Sequence, residues 1–367
     1  MAISSALGSS ALLPAGLGFR NLLMNGNMVI DQRNIGGTVA PNAGRTYTLD
    51  RWCSEFSQNA RITIGQNYNS LTPPTGFSKY LGTKVTASYG LGSGDYFAIE
   101  QLVEGSTIAQ LSWGTSGAKP VTLSFWVNSS VTGTFTAGLR NGSANRSYVF
   151  NYTINSANTW EYKTILIYGD STGTWATDTS SGILLNFVLG GGSTYLTSTV
   201  GSWTAGNFIG STTGANIVGT ANATWNITGV QLEQNYQPTP FEQRPLSVEQ
   251  LLCYRYFYKF VGDTSNYNSV ASSGIATSGT QIGRTTTILP APMRKSITTT
   301  DLSFGASSLI GYDGSAVVVL TSITCYGTAR ELSMDITTGS GLTTGRPAVV
   351  LTNPTYLTGL SVNAELS

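Results

Sequence analysis

Asp95, Glu100 and Glu104 fall together in GDYFAIEQLVEG and are the best local candidates for acid chemistry. Two carboxylates roughly 5–10 Å apart could hydrolyse a glycosidic bond. The same three side chains could contribute to a structural Ca²⁺ site. The ligand set is incomplete in sequence, and solvated or ion-paired carboxylates are the commoner outcome. The expectation is therefore a protein that is not an enzyme and has no cofactor, with Asp95, Glu100 and Glu104 as the candidate Ca²⁺ ligands. The chain has no histidine. That removes Ser-His-Asp and Cys-His catalysis and nearly all zinc chemistry. Cys53, Cys253 and Cys325 are few, far apart and odd in number, which predicts reduced, buried thiols and no disulfide framework.

A second kind of chemistry is open to the aromatic residues. Flat rings stack on the apolar faces of pyranose sugars, and a ring left wet on a surface implies a partner. Trp126 falls on the polar side of KPVTLSFWVNSS, beside Ser124 and Asn128. Trp160 and Tyr162 share one side of WEYKTILIYG, opposite Ile165 and Ile167. Trp175 and Trp203 lie in loop-like contexts. These five rings are the candidate glycan platform. The competing reading is that they fill a second layer of the fold or a subunit interface.

Those residues must be held by β-structure. Forty-three glycines in 367 residues, with only 10% charged side chains and 40% hydrophobic ones, fit an all-β chain rich in turns. In KPVTLSFWVNSS, Val121, Leu123, Phe125 and Val127 alternate with Thr122, Ser124, Trp126 and Asn128, which is the period of a half-buried strand. GTFTAGLRN, SYVFNYTIN, WEYKTILIYG and ILLNFVLGGG follow with turn residues between them, as in a sandwich or jelly roll. ATWNITGVQLEQ reads as the closing strand, with a bulge at Gly229. NLLMNGNMVIDQRN reads as strand-like with a turn at Asn25-Gly26, and YTLDRWC as a resumed strand.

Pro238, Pro240 and Pro245 then stop the sheet. LSVEQLL predicts a short helix capped by Ser247, with Gln250 completing a capping box and Leu246 and Leu251 as the staple. CYRYFYKF predicts a strand with Tyr254, Tyr256, Tyr258 and Phe260 on one side. Further strands end in TGLSVNAELS. All seven tryptophans lie at or before Trp225. The predicted fold is thus a jelly-roll β-sandwich over residues 21–240 followed by a second β-rich domain over residues 245–367.

Net charge is +1 with no basic run, which argues against nucleic acid as a partner. No stretch approaches 18 apolar residues, so no membrane insertion is expected. MAISSALGSSALLPAGLGF lacks a charged start and is interrupted by Pro14, Gly16 and Gly18, unlike an export signal. Residues 1–20 are expected to be an extended arm, docking through Ile3, Leu7, Leu12, Leu13 and Leu17. Many short strands and low charge suit shielding of sheet edges by neighbouring copies.

Taken in order, ALGSSALLPAGLGFRNLLMNGNMVIDQRN, YTLDRW, GVQLEQ, PTPFEQRP and LCYRYFYKF resemble a family of bacteriophage virion proteins. Such proteins are common in phages of marine cyanobacteria and are described as tail-fibre or virion structural proteins. The residues that carry the resemblance are Asn25-Gly26, Asp31-Gln32-Arg33, Asp50-Arg51-Trp52, Gly229 to Glu233 and Thr239 to Pro245. It spans nearly the whole chain and implies a carbohydrate-binding-module-like jelly roll. It also implies a homotrimer, made in the host bacterial cytoplasm and carried on the virion. There the arm would dock to other virion proteins, the jelly roll would meet host surface glycan, and the C-terminal domain would serve trimerisation or receptor contact. A capsid-surface decoration or fibre protein and a glycan depolymerase are the alternatives to a tail-fibre adhesin.

Overall fold

Val121, Leu123, Phe125 and Val127 are all fully buried on one side of the strand Val121–Ser129. That side forms the inner face of a six-stranded sheet in a computed structural model describing residues 19–261, 266–305, 307–355 and 359–366. The proposed docking residues Ile3, Leu7, Leu12, Leu13 and Leu17 lie outside the described residues. In spatial order the sheet runs Thr38–Val39, Ile62–Gln66, Leu81–Val85, Thr224–Glu233, Val121–Ser129 and Glu161–Ile167. A seven-stranded sheet packs against it. Its order is Trp203–Ala205, Arg146–Ile154, Gly133–Asn141, Ser181–Gly191, Tyr96–Glu104, Trp52–Phe56 and Gly44–Leu49.

Between the sheets Phe125 meets Phe187 at 5.1 Å and Tyr152 at 5.2 Å, both edge to face. Two fully buried tryptophans close the ends of this core, and each finds a partner for its N–H. Trp52 donates to the Asn25 carbonyl and Trp225 to the Tyr152 hydroxyl. The all-β, jelly-roll-like architecture is as the alternation predicts. No helix among the described residues is long and apolar enough to cross a membrane. The three cysteines are buried and free.

Gly229 makes the expected bulge. Its φ is +61°, and the pairing with Val121–Ser129 shifts register between Thr228 and Gln231. A side chain there would run into the Phe77 ring.

Two N-terminal expectations need correction. NLLMNGNMVIDQRN holds the turn at Asn25-Gly26 but forms no strand. Asn25 and Met28 both have positive φ, which breaks extended pairing. The Asn25 side chain instead acts as a local brace, accepting from the Ile30 amide and donating to the Ile30 and Asp50 carbonyls. The segment is buried by Leu22, Leu23 and Met28, which plug the sandwich. YTLDRWC is likewise a hairpin rather than one strand, with Asp50-Arg51 as its turn and Arg51 at φ +68°.

Past the prolines the helix Leu246–Tyr254 begins one residue before the predicted cap. The Pro245 carbonyl accepts from Val248 and Glu249, so Ser247 sits inside the first turn and makes no capping bond. Leu246 and Leu251 are exposed, so they form no staple. What anchors the helix start is Glu249, which is buried and takes the Asn25 amide and the Arg244 guanidinium. CYRYFYKF is divided: Cys253 and Tyr254 end the helix, and only Phe257–Phe260 is strand, paired with Leu360–Asn363. Tyr254, Tyr258 and Phe260 still stack edge to face, whereas Tyr256 turns inward and is buried. Beyond it six strands close a barrel with its own core around Leu309, Leu332, Met334 and Val350.

The two cores meet at a buried joint. Glu365 lies between Arg51 and Arg33, with Arg33 at 2.8 Å. The Arg51 guanidinium lies over the Tyr256 ring at 3.5 Å and that of Arg33 over Phe257 at 3.7 Å. Tyr47 donates to the Leu366 carbonyl at 2.7 Å, and Cys53, Leu102, Leu184, Tyr256 and Leu366 form a small apolar cluster beside these ions. Removing one partner of a buried ion pair strands the other. Arg51→Ala is therefore expected to cost about 3 kcal/mol or more of stability, read by denaturant unfolding. A change within about 0.5 kcal/mol would show that the joint does not depend on this pair.

Candidate functional site

The outer face of the six-stranded sheet is set by register. Tyr162 and Thr228 flank Trp126, and Asn226 lies opposite Asn128. These side chains, with Ser124, all point away from the core because they alternate with Leu123, Phe125 and Val127. A polar face with one tryptophan on it was the sequence expectation, but most of it is covered. The loop between the strands Ile62–Gln66 and Leu81–Val85 lies across it. Asn69 donates to Asn226 at 2.6 Å, and Thr228 donates to the Lys79 carbonyl at 2.7 Å.

Trp160 belongs to that cover. Its indole donates to the Thr72 carbonyl at 2.9 Å and its ring packs on Tyr80 at 5.5 Å. What remains open is a cavity of about 220 Å³ lined by Phe77, Ser124, Trp126, Tyr162, Gly229, Pro240 and Phe241. Trp126 and Tyr162 stand 5.3 Å apart with their planes inclined at 46°, forming a V-shaped bracket. Phe77 and Phe241 pack edge to face at 5.2 Å and make the opposite wall. Tyr162 is 43% exposed, so the bracket is open to solvent. Such a site can grip the apolar face of a small ring while Ser124 supplies a hydroxyl. Sequence reading put Trp126 on the polar face of its own strand and Tyr162 with Trp160 on a face of another; the register that brings Trp126 beside Tyr162 was not read, and Phe77 and Phe241 were missed. The only signal for those two was an aromatic residue set among turn formers in PPTGF and PTPF.

Trp175 and Trp203 do not join this site. With Trp113 they form a cluster of indoles 4.7–5.3 Å apart at the edge of the seven-stranded sheet. Their N–H groups are taken by the carbonyls of Thr172, Tyr168 and Lys119. Beside them Arg146 grips Asp170 with two bonds of 2.8 and 2.7 Å. Burial raises the Asp170 pKa, but Arg146 and Thr172 outweigh it and hold the carboxyl below its ordinary value. The cluster pins the segment 168–175.

The acidic candidates are also dispersed. Asp95 is held in a turn by Gln58, Ser57 and the Gly92 amide, and these bonds lower its pKa. Glu100 and Glu104 share the outward side of Tyr96–Glu104 but lie four residues apart, about 13 Å along a strand. Glu100 is fully buried against Arg140 and Arg45, and Glu104 takes Arg255 at 2.7 and 3.0 Å. Among the described residues no group of three or more His, Cys, Asp or Glu is gathered as a metal ion would need.

No protein-family model and no curated protein matches this chain. Similar solved structures include the enzymatically active domain of bacteriophage CBA120 tailspike protein 4, at 12% identity and a TM-score of 0.32. That match covers 59% of this chain but only 21% of the tailspike chain. TmCBM61, solved in complex with β-1,4-galactotriose, is 11% identical with a TM-score of 0.30, covering 59% of this chain and all of the module. A putative sugar binding protein from Bacteroides thetaiotaomicron covers the same shares at 9% identity and a TM-score of 0.30. The likeness to all three is distant.

One consequence of the acidic placements is measurable. Burial pushes the Glu104 carboxyl up, but hydrogen bonds from Arg255, Tyr256 and Ser106 win and hold its pKa below the ordinary 4.5. A carboxylate with a lowered folded pKa stabilises the fold above its unfolded value, and the contribution is lost as pH falls through the folded one. The melting temperature of the wild type should therefore drop more steeply on acidification below pH 4.5 than that of Glu104→Gln. Parallel acid profiles would refute the assignment.

Proposed function

We propose that this protein is a structural component of a phage particle and attaches it to host-surface glycan, as a tail-fibre-like adhesin does, without turnover. The observation that supports this is the bracket of Trp126 and Tyr162, two inclined rings over an open cavity on a surface otherwise sealed by the protein's own loop. Aromatic side chains left partly wet at such a place favour a ligand with an apolar face and a polar rim, and a pyranose ring has both. The buried joint between the two cores suits attachment: the jelly roll presents the bracket, and the barrel supplies a second surface for copies of the chain or for the receptor. In this reading the N-terminal arm docks to other virion proteins and the assembly is a homotrimer on the particle.

The test is a glycan array followed by calorimetry on the best binder. Trp126→Ala and Tyr162→Ala are each expected to weaken binding about tenfold, near 1.4 kcal/mol, with the melting temperature unchanged. Undiminished binding by the double variant would refute the bracket as the site. Steady release of reducing ends from the bound polysaccharide would refute a purely adhesive role.

A further inference from the structure

We infer a second ligand site, on the outer face of the seven-stranded sheet, built for an uncharged group bearing adjacent hydroxyls, such as a neutral saccharide unit. It does not depend on the Trp126 bracket, which lies on the other sheet.

The site is a cavity of about 260 Å³ whose walls include Arg45, Glu55, Tyr96, Glu100, Arg140 and Tyr195. Strand pairing assembles it. Cys53 lies opposite Glu100, so Glu55 falls one outward position along the neighbouring strand, and Arg45 pairs with Glu55 from the next strand out. Arg45 Nε is 2.9 Å from Glu55 and its Nη2 is 3.5 Å from Glu100, while Arg140 holds the other Glu100 oxygen. Arg140 also donates to the exposed Asn207 at 2.7 Å. Tyr96 and Tyr195 stand edge to face at 5.1 Å and give the pocket an aromatic side.

Two features separate this group from an ordinary structural ion cluster. First, apolar packing would serve this face of the sheet at least as well. The next outward residue along Tyr96–Glu104 is Leu102, which with Leu184 covers the sheet by apolar packing under the C-terminal domain. A buried ion network is a poor stabiliser compared with such packing, yet here one forms the floor of an open pocket. Second, its hydrogen-bonding capacity is not used up. Glu100 Oε2 has only the long 3.5 Å ion pair to Arg45 Nη2, and neither it nor Arg140 Nε, both buried just beneath the cavity surface, makes a hydrogen bond. Arg45 and Glu55, 24% and 22% exposed, form the rim that a ligand meets first.

The mixture of charges selects the ligand class. Two guanidiniums and two carboxylates sum to zero. An anion would be drawn to the arginines and repelled by Glu55 and Glu100, and a cation would meet the reverse. A hydroxyl both donates and accepts, so a pair of neighbouring hydroxyls satisfies a carboxylate and a guanidinium together, and the tyrosines can cover the apolar side of the ring.

The experiment uses the full chain with labelled tyrosines and follows the Tyr96 and Tyr195 ring resonances by NMR. Glucose, galactose and mannose and their trisaccharides are titrated, with sulfate and Ca²⁺ as charged comparators. The expected result is a saturable response to at least one neutral sugar. Tyr195→Ala and Glu55→Gln should each weaken it about tenfold, the loss of one strong contact, while Trp126→Ala leaves it unchanged. Both substitutions lie at the pocket rim, and either one decides the matter if the other melts early. No response of these tyrosines to any sugar, a response to sulfate or Ca²⁺ alone, or binding that survives both variants would overturn the proposal.

Discussion

Glu365, near the end of the chain, is held between Arg33 and Arg51, two residues of its first quarter, and the two parts of the fold meet at that contact. Taking these ions out of water carries a large desolvation cost. It is offset because one carboxylate serves two guanidiniums, each guanidinium lies on an aromatic face, and Arg51 also donates to the Leu102 carbonyl. Each member therefore needs the others in place. The hairpin turn at Asp50-Arg51, the inward rotation of Tyr256 and the course of the last strand all meet at this point. Asn25 and Glu249 extend the joint by fastening the helix Leu246–Tyr254 to the plug at the base of the sandwich.

That joint also decides which surfaces remain available. It occupies one end of the outer face of the seven-stranded sheet, where Leu102, Leu184 and Glu104 are used against the C-terminal domain. The rest of that face, around Glu100, is left as a pocket. On the opposite sheet the cover is the loop over Asn226 and Thr228, and the uncovered remainder is the bracket at Trp126. Both cavities are thus bounded by the chain's own packing on their sheet. Of the motif residues that suggested a phage family, Asn25, Arg33, Asp50 and Arg51 lie at the joint and the plug, whereas Gly229, Pro240 and Phe241 line the cavity at Trp126.

The sequence by itself determined the central strands of the sandwich and their faces. Alternation is a local property, set by the geometry of one extended segment, so Leu123, Phe125 and Val127 could be assigned inward and Trp126 outward without knowing any neighbour. The bulge at Gly229 was legible for the same reason. The tertiary structure decided everything that depends on which segments become neighbours. It made NLLMNGNMVIDQRN a braced plug, because Asn25 finds the Asp50 carbonyl. It started the helix at Leu246, because Glu249 and Arg244 anchor it. It gathered Trp113, Trp175 and Trp203 into one cluster while leaving Trp126 with Tyr162. Phe77 and Phe241, or Arg45, Glu55 and Arg140, are scattered along the sequence and share no period. Only the order of strands in each sheet, with the loop and the connector folded over them, brings them to one place.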